Sequence, residues 1–416
     1  MLARLPNSLR NFEVSIAVAA LALAAFSTHA YAGKKKNAAA PDTKKEGRLV
    51  FDINKLVWPN PPAVARIRFL DEFTGEKIDL SSKQPKAKPK QSWMDRLAGT
   101  KPQADQDIKI PFQLLRPFGI AVNSKGKIYV ADQGVGAIFI FDPETHNVEL
   151  IGNGRQARFG LIIGLAIDDN DRVFVSDDKF RQVSVFNAKH EQEAAFGADI
   201  LARPGGIAID TENRLLYVVD TESDVVDVFD ADNFKLLRKI GTPGKKHTLT
   251  DPGTFSLPTN VAVDSEGEVY VTDTLNNRVE IFDADGKFVS MFGKSGDGPA
   301  YFARPKGIAV DADGHVWVVD AMQDKIKVFN RDGQLLICFG DHGGFPGQFQ
   351  VAYGIAIDKF NRVLVSEQYR GRVQMFRYVT DAEAEQAKKE MAEKSAPPKT
   401  PMGGGAPAQA EVAAPK

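Results

Sequence analysis

Only one cysteine, Cys338, occurs in 416 residues. That excludes an intramolecular disulfide framework, a cysteine-built zinc site and the cysteine pair of a c-type haem attachment. The core must hold by packing alone. An excess of one charge is missing too: Lys+Arg 53 against Asp+Glu 54 leaves a formal net charge of -1. A globally basic nucleic-acid binder and a globally acidic disordered chain are both excluded, though not a local patch of either sign. No Gly-x-Ser-x-Gly elbow, no phosphate-binding loop and no Asn-x-Ser/Thr acceptor is present.

The ends differ from the middle. Residues 1–32 predict a secretory signal: Arg4 and Arg10 lead, residues 14–26 form an apolar run, and Ala30-Tyr31-Ala32 places cleavage after Ala32. The run is shorter than the roughly 20 residues that span a bilayer, so no stable membrane insertion is expected after cleavage. An exported chain with one cysteine and no glycosylation acceptor points to a bacterial periplasm or to secretion. Residues 33–64 read as a linker and lead-in, and 74–107 as a Lys/Pro linker with a short capped helix at 92–97. Residues 380–416 read as a tail, helical over 381–394 and then rich in Pro, Gly and Ala with nothing to bury.

Between these ends a phrase recurs six times. Its central alanines are Ala121, Ala166, Ala208, Ala262, Ala309 and Ala356. An acid follows each at the end of a Val-rich strand: Asp132, Asp177, Asp220, Asp273, Asp320 and Glu367. Nine residues after every acid stands a phenylalanine: Phe141, Phe186, Phe229, Phe282, Phe329 and Phe376. The phrases alternate as strands and are separated by Asp-x-x-Gly-type turns, so each repeat predicts four short antiparallel strands. Residues 108–379 therefore predict an all-β, six-bladed propeller. Alanine is expected nearest the axis, with the phenylalanines filling the space where blades splay apart. The sixth repeat lacks an outer strand, and residues 65–73 are placed to supply it and remove an open edge.

The fourth and fifth copies resemble the NHL repeat. Leu257-Pro258-Thr259-Asn260-Val261-Ala262-Val263-Asp264 and Val271-Thr272-Asp273-Thr274-Leu275-Asn276-Asn277-Arg278-Val279 are similar to it nearly word for word, as is Pro346-Gly347-Gln348-Phe349 between blades. The resemblance implies a six-bladed propeller. It leaves function open, because similar propellers bind RNA or proteins, sense ligands, or act as metal-dependent lyases and lactonases. Val57-Trp58-Pro59-Asn60-Pro61-Pro62 with Arg66-Ile67-Arg68 resembles the lead-in of exported bacterial relatives found with electron-transfer systems.

Length varies mainly in the loops from one blade's outer strand to the next inner strand. These share one face, where binding groups are expected. The longest, 241–256, carries Lys245, Lys246 and His247. Arg116, Arg203 and Arg304 alternate with Leu161, Leu257 and Val351 just before the inner strands. They read either as an anion receptor or as ion-pair partners of Asp132, Asp220 and Asp320. Two residues on lies a varied ring of Phe118, Ile163, Gly205, Thr259, Lys306 and Tyr353. With Tyr369 and Phe180 it reads as an aromatic-basic pocket or as a plug of the channel.

The favoured expectation is a non-catalytic propeller that binds a protein, peptide or small anionic ligand through Arg116, Arg203, Arg304, Phe118, Lys306, Tyr353 and Tyr369. No cofactor, metal or nucleic-acid partner is expected. One alternative is a metal-dependent lyase or lactonase-type hydrolase in the channel, with Asn260 and His247 or His342 as ligands. The other is a structural subunit of a cell-envelope complex. Cys338 reads as a core residue.

Overall fold

The computed structural model describes residues 52–77, 111–152, 157–242 and 251–395. Six antiparallel sheets follow the six repeats. In blade 1 the strands run Pro117–Val122, Ile128–Asp132, Ala137–Phe141 and Val148–Gly152, from the axis outward. The other inner strands are Ile162–Ile167, Pro204–Asp210, Pro258–Val263, Pro305–Val310 and Ala352–Ile357. Each inner strand contacts those of its two neighbours, and that of blade 6 contacts that of blade 1, so the ring is closed.

Alternation explains why the blades stack. Ile120 faces the cluster shared with blade 6, which includes Leu364, while Ala121 faces Ile162 and Leu165 of blade 2. The six third-strand phenylalanines are all buried and lie in the clusters between blades. Burying each ring stabilises by about 2 kcal/mol.

Blade 6 is completed from the other end of the chain. Ile67–Phe73 pairs antiparallel with Arg372–Tyr378, from Ile67 opposite Tyr378 to Phe73 opposite Val373. The lead-in is more ordered than a linker: Ile53–Lys55 is a 3-10 turn, and Val57–Trp58 adds a fifth strand. Trp58 packs on Phe339 and Phe376. Helix α1, Asp381–Ser395, follows the last strand and is tied to the clasp, as the pairing of Ile67–Phe73 with Arg372–Tyr378 is called below, by Arg66, which bonds Asp381 and Tyr378. The expected helix at 92–97, the tail beyond 395 and the signal at 1–32 lie outside the described residues.

Candidate functional site

The face carrying the outer-to-inner loops also carries the turns between second and third strands; it is called the upper face below. At this face every inner strand starts with a break in register. In blade 1, Pro117 pairs with Asp132 and Ile120 with Val130, leaving Phe118 and Gly119 out of the ladder. Such bulges re-aim side chains. They also press one blade's backbone onto the next. A Cβ added at Gly119 would sit 2.5 Å from the Ile163 carbonyl oxygen, and one at Gly164 would sit 2.7 Å from that of Gly205. Closest approach at the axis thus belongs to these glycines. The central alanines, expected there, instead pack between neighbouring blades, as Ala121 and Ala166 do.

Blade 4 departs from the pattern by placing Asn260 where the other five have glycine. It pairs with Thr272, and only Thr259 is skipped.

Hydroxyls in alternate blades pin this ring. Ser176, Thr272 and Ser366 accept from the N–H of Gly164, Asn260 and Gly354 at 2.8, 3.0 and 2.8 Å. They donate to the carbonyls of Gly205, Lys306 and Phe118 in the next blade at 2.5, 2.8 and 2.5 Å. The backbones of Lys306 and Phe118 are therefore fixed before any ligand arrives.

The structure brings together four of the side chains singled out. Phe118 and Tyr353 pack with ring centroids 4.5 Å apart. The Lys306 ammonium lies 5.9 Å from the Tyr353 centroid. Burial, reinforced by the nearby Arg304, lowers the Lys306 pKa to about 8. Burial raises the Tyr353 phenol to about 12, offset in part by the Asn260 amide beside it. Nδ2 of Asn260 is buried, and the Tyr353 phenol is its polar neighbour.

The arginines do not pair with the acids of their own blades. Asp132 takes the backbone N–H groups of Leu115 and Arg116 at 2.7 and 3.0 Å. Asp220 does the same for Ala202 and Arg203, and Asp320 for Ala303 and Arg304. The acids are buried and hold loops, which overturns the ion-pair expectation. All three guanidinium groups belong to exposed residues. Arg203 reaches across to Asp178 of blade 2 at 3.7 Å. For Arg116, Arg304 and Lys306, no carboxylate among the described residues lies within ion-pair distance. Tyr369 stands on the rim, 75% exposed.

Of the ligands considered for a channel metal, His342 is on the upper face with Nδ1 2.6 Å from Asp324, and His247 lies outside the described residues. A different group, Asp311, Asp313 and His315, converges within 4.8 Å on the opposite face. Both oxygens of Asp311 are engaged there: Oδ1 by the N–H groups of Asp313 and His315, Oδ2 by His315 Nδ1 and Trp317 Nε1. No helix among the described residues is long and apolar enough to cross a membrane.

A closed ring of six repeats with these phrases is an NHL-type six-bladed β-propeller, and the comparisons agree. The family model described as "6-bladed beta-propeller" matches residues 254–384, and the "SMP-30/Gluconolactonase/LRE-like region" matches 166–294. NHL repeat-containing protein 3 of Mus musculus is 29% identical over 189 residues, covering 44% of this chain and 43% of that one. A probable peptidyl-alpha-hydroxyglycine alpha-amidating lyase of Caenorhabditis elegans is 25% identical over 210 residues, covering 43% of this chain and 58% of that one. The chain thus spans less than two thirds of either relative's length. A Bacteroides thetaiotaomicron protein of unknown function shares the fold with a TM-score of 0.51 and 18% identity, covering 64% of this chain and 70% of that chain.

Proposed function

We propose that the protein is a binding module whose upper channel mouth receives an anionic group, such as a carboxylate. The observation that carries this is the half-buried Lys306 ammonium beside Arg304 and over the Tyr353 ring, with no carboxylate partner among the described residues. Desolvating a cation is costly unless a counter-charge arrives, so an anion gains most at this point. Arg116 adds positive charge at the same face, and Phe118 with Tyr353 offers an aromatic wall. Arg203 contributes less, because Asp178 already faces it.

Calorimetric titration of the full chain with succinate tests the reading. Lys306→Met is expected to weaken binding at least tenfold while the fold stays intact by circular dichroism. Equal affinity in the variant would refute the site. The relatives named for lyase and lactonase chemistry suggest a second reading, catalysis in the channel. It predicts that calcium or zinc raises the melting temperature of the wild type but not of Asn260→Ala; under the binding reading both respond alike.

In the same proposal residues 1–32 direct export. Amino-terminal sequencing of the protein recovered from its cell should then begin at Gly33, and a first residue of Met1 would refute it.

A further inference from the structure

One position recurs in all six turns between second and third strands, two residues past the blade acid. It holds Gly134, Lys179 and Glu222 in blades 1–3, and Leu275, Met322 and Tyr369 in blades 4–6. Lys179 and Glu222 are exposed polar groups. Leu275, Met322 and Tyr369 are 43%, 67% and 75% exposed. Single exposed apolar residues need no explanation, but three at one geometric position in consecutive blades make half of the upper rim apolar where the other half is polar or glycine.

The loops around this apolar half are locked. In blade 4, Arg278 is buried against Asp273 at 2.9 Å and donates to the Thr254 carbonyl at 2.8 Å. In blade 5, Lys327 is fully buried, pairs with Asp320 at 2.9 Å and donates to the Tyr301 carbonyl. In blade 6, Arg372 pairs with Glu367 at 2.9 Å and donates to the Gln348 carbonyl at 2.9 Å. Blades 1–3 place Ala137 and Phe139, Gln182 and Ser184, and Val225 and Asp227 at those two positions, none of them a cation. Only the apolar half of the rim has upper loops fastened by buried cations among the described residues. Such fastening lowers the ordering cost of binding.

Charge picks the occupant. Arg304 and Lys306 both belong to blade 5, the middle of the three apolar blades. We infer that the rim of blades 4–6 docks a protein partner through an apolar segment laid across Leu275, Met322 and Tyr369, with one acidic side chain or terminal carboxylate directed to Lys306 and Arg304. Methionine, tyrosine and arginine are residues that interface cores favour. This inference rests on the anion site proposed above and names what carries the anion.

The test selects random twelve-residue peptides displayed on phage against the full chain. The best binder is then synthesised and measured by fluorescence anisotropy on wild type, Lys306→Met and the double variant Leu275→Ser/Met322→Ser. Succinate is titrated into the same three proteins. The expected binder has an acidic residue or free carboxyl terminus beside aromatic or aliphatic residues. Each variant should weaken it tenfold or more, with succinate affinity unchanged in the double variant. A smaller loss in the double variant, or selected peptides without an acid beside apolar residues, overturns the docking surface while leaving the anion site standing. Failure of succinate to bind wild type refutes the anion site itself. Vesicles of phosphatidylcholine and phosphatidylglycerol are the control surface; binding that the double variant abolishes would assign the rim to lipid and overturn a protein partner.

Discussion

Lys306 shows how one side chain can be costly to the fold and useful to the site. Its pKa falls to about 8 in the folded ring, against roughly 10.4 in an unfolded chain. Between those values the unfolded chain binds the extra proton, so this residue makes stability rise with pH across the window. Thermal melts at pH 7.5 and pH 10 should therefore differ by a smaller upward step in Lys306→Met than in wild type. Anion affinity is expected to run the other way, falling as pH rises through about 8 because the ammonium is lost. The ring position of Lys306, Phe118 and Tyr353 was legible in the sequence, because variation stood out where the repeat held geometry constant. The partners of the arginines were not. A one-dimensional spacing cannot distinguish a carboxylate that meets a guanidinium from one that meets the same residue's backbone N–H.

At the scale of the strand, the glycines within the bulges and the buried cations of the third strand do different work. Gly119→Ala would drive a methyl into the Ile163 carbonyl, and overpacking of that kind costs about 1–3 kcal/mol. Urea unfolding should show it as an earlier midpoint with an unchanged slope. Lys327→Met leaves the carboxylate of Asp320 without its counter-ion, and breaking a buried pair in this way costs about 3–5 kcal/mol. The same denaturation measurement should give a larger fall than for Gly119→Ala. Strand alternation and the turn residues made the six sheets legible. The buried Arg278, Lys327 and Arg372 were harder to read, since a charged residue in an alternating strand looks solvent-facing until the loop above it is in place. The apolar run of Leu275, Met322 and Tyr369 could have been found by aligning the repeats on their acids.

For the whole molecule the decisive feature is closure. The clasp strand was legible because blade 6 ended one strand short and residues 65–73 alternated like an outer strand. The extra strand Val57–Trp58 was not, since two residues carry no period. Deleting residues 1–77 should leave Val373, Phe376 and Tyr378 on an open edge, and size-exclusion chromatography is expected to show oligomers in place of a single species. The clasp also orders events in time. Glu72 and Arg372, which bond across it, stand 300 residues apart. At about 5–20 residues per second of synthesis, Ile67–Phe73 emerges roughly 15–60 s before the strand it pairs with in blade 6. Phe73 meets Phe141 once blade 1 is made, but Ile67 and Phe69, whose neighbours belong to blades 5 and 6, wait through most of that interval, so one of the earliest apolar stretches of the propeller is among its last to be sheltered, and the newborn chain depends on whatever keeps it soluble until the late blades arrive.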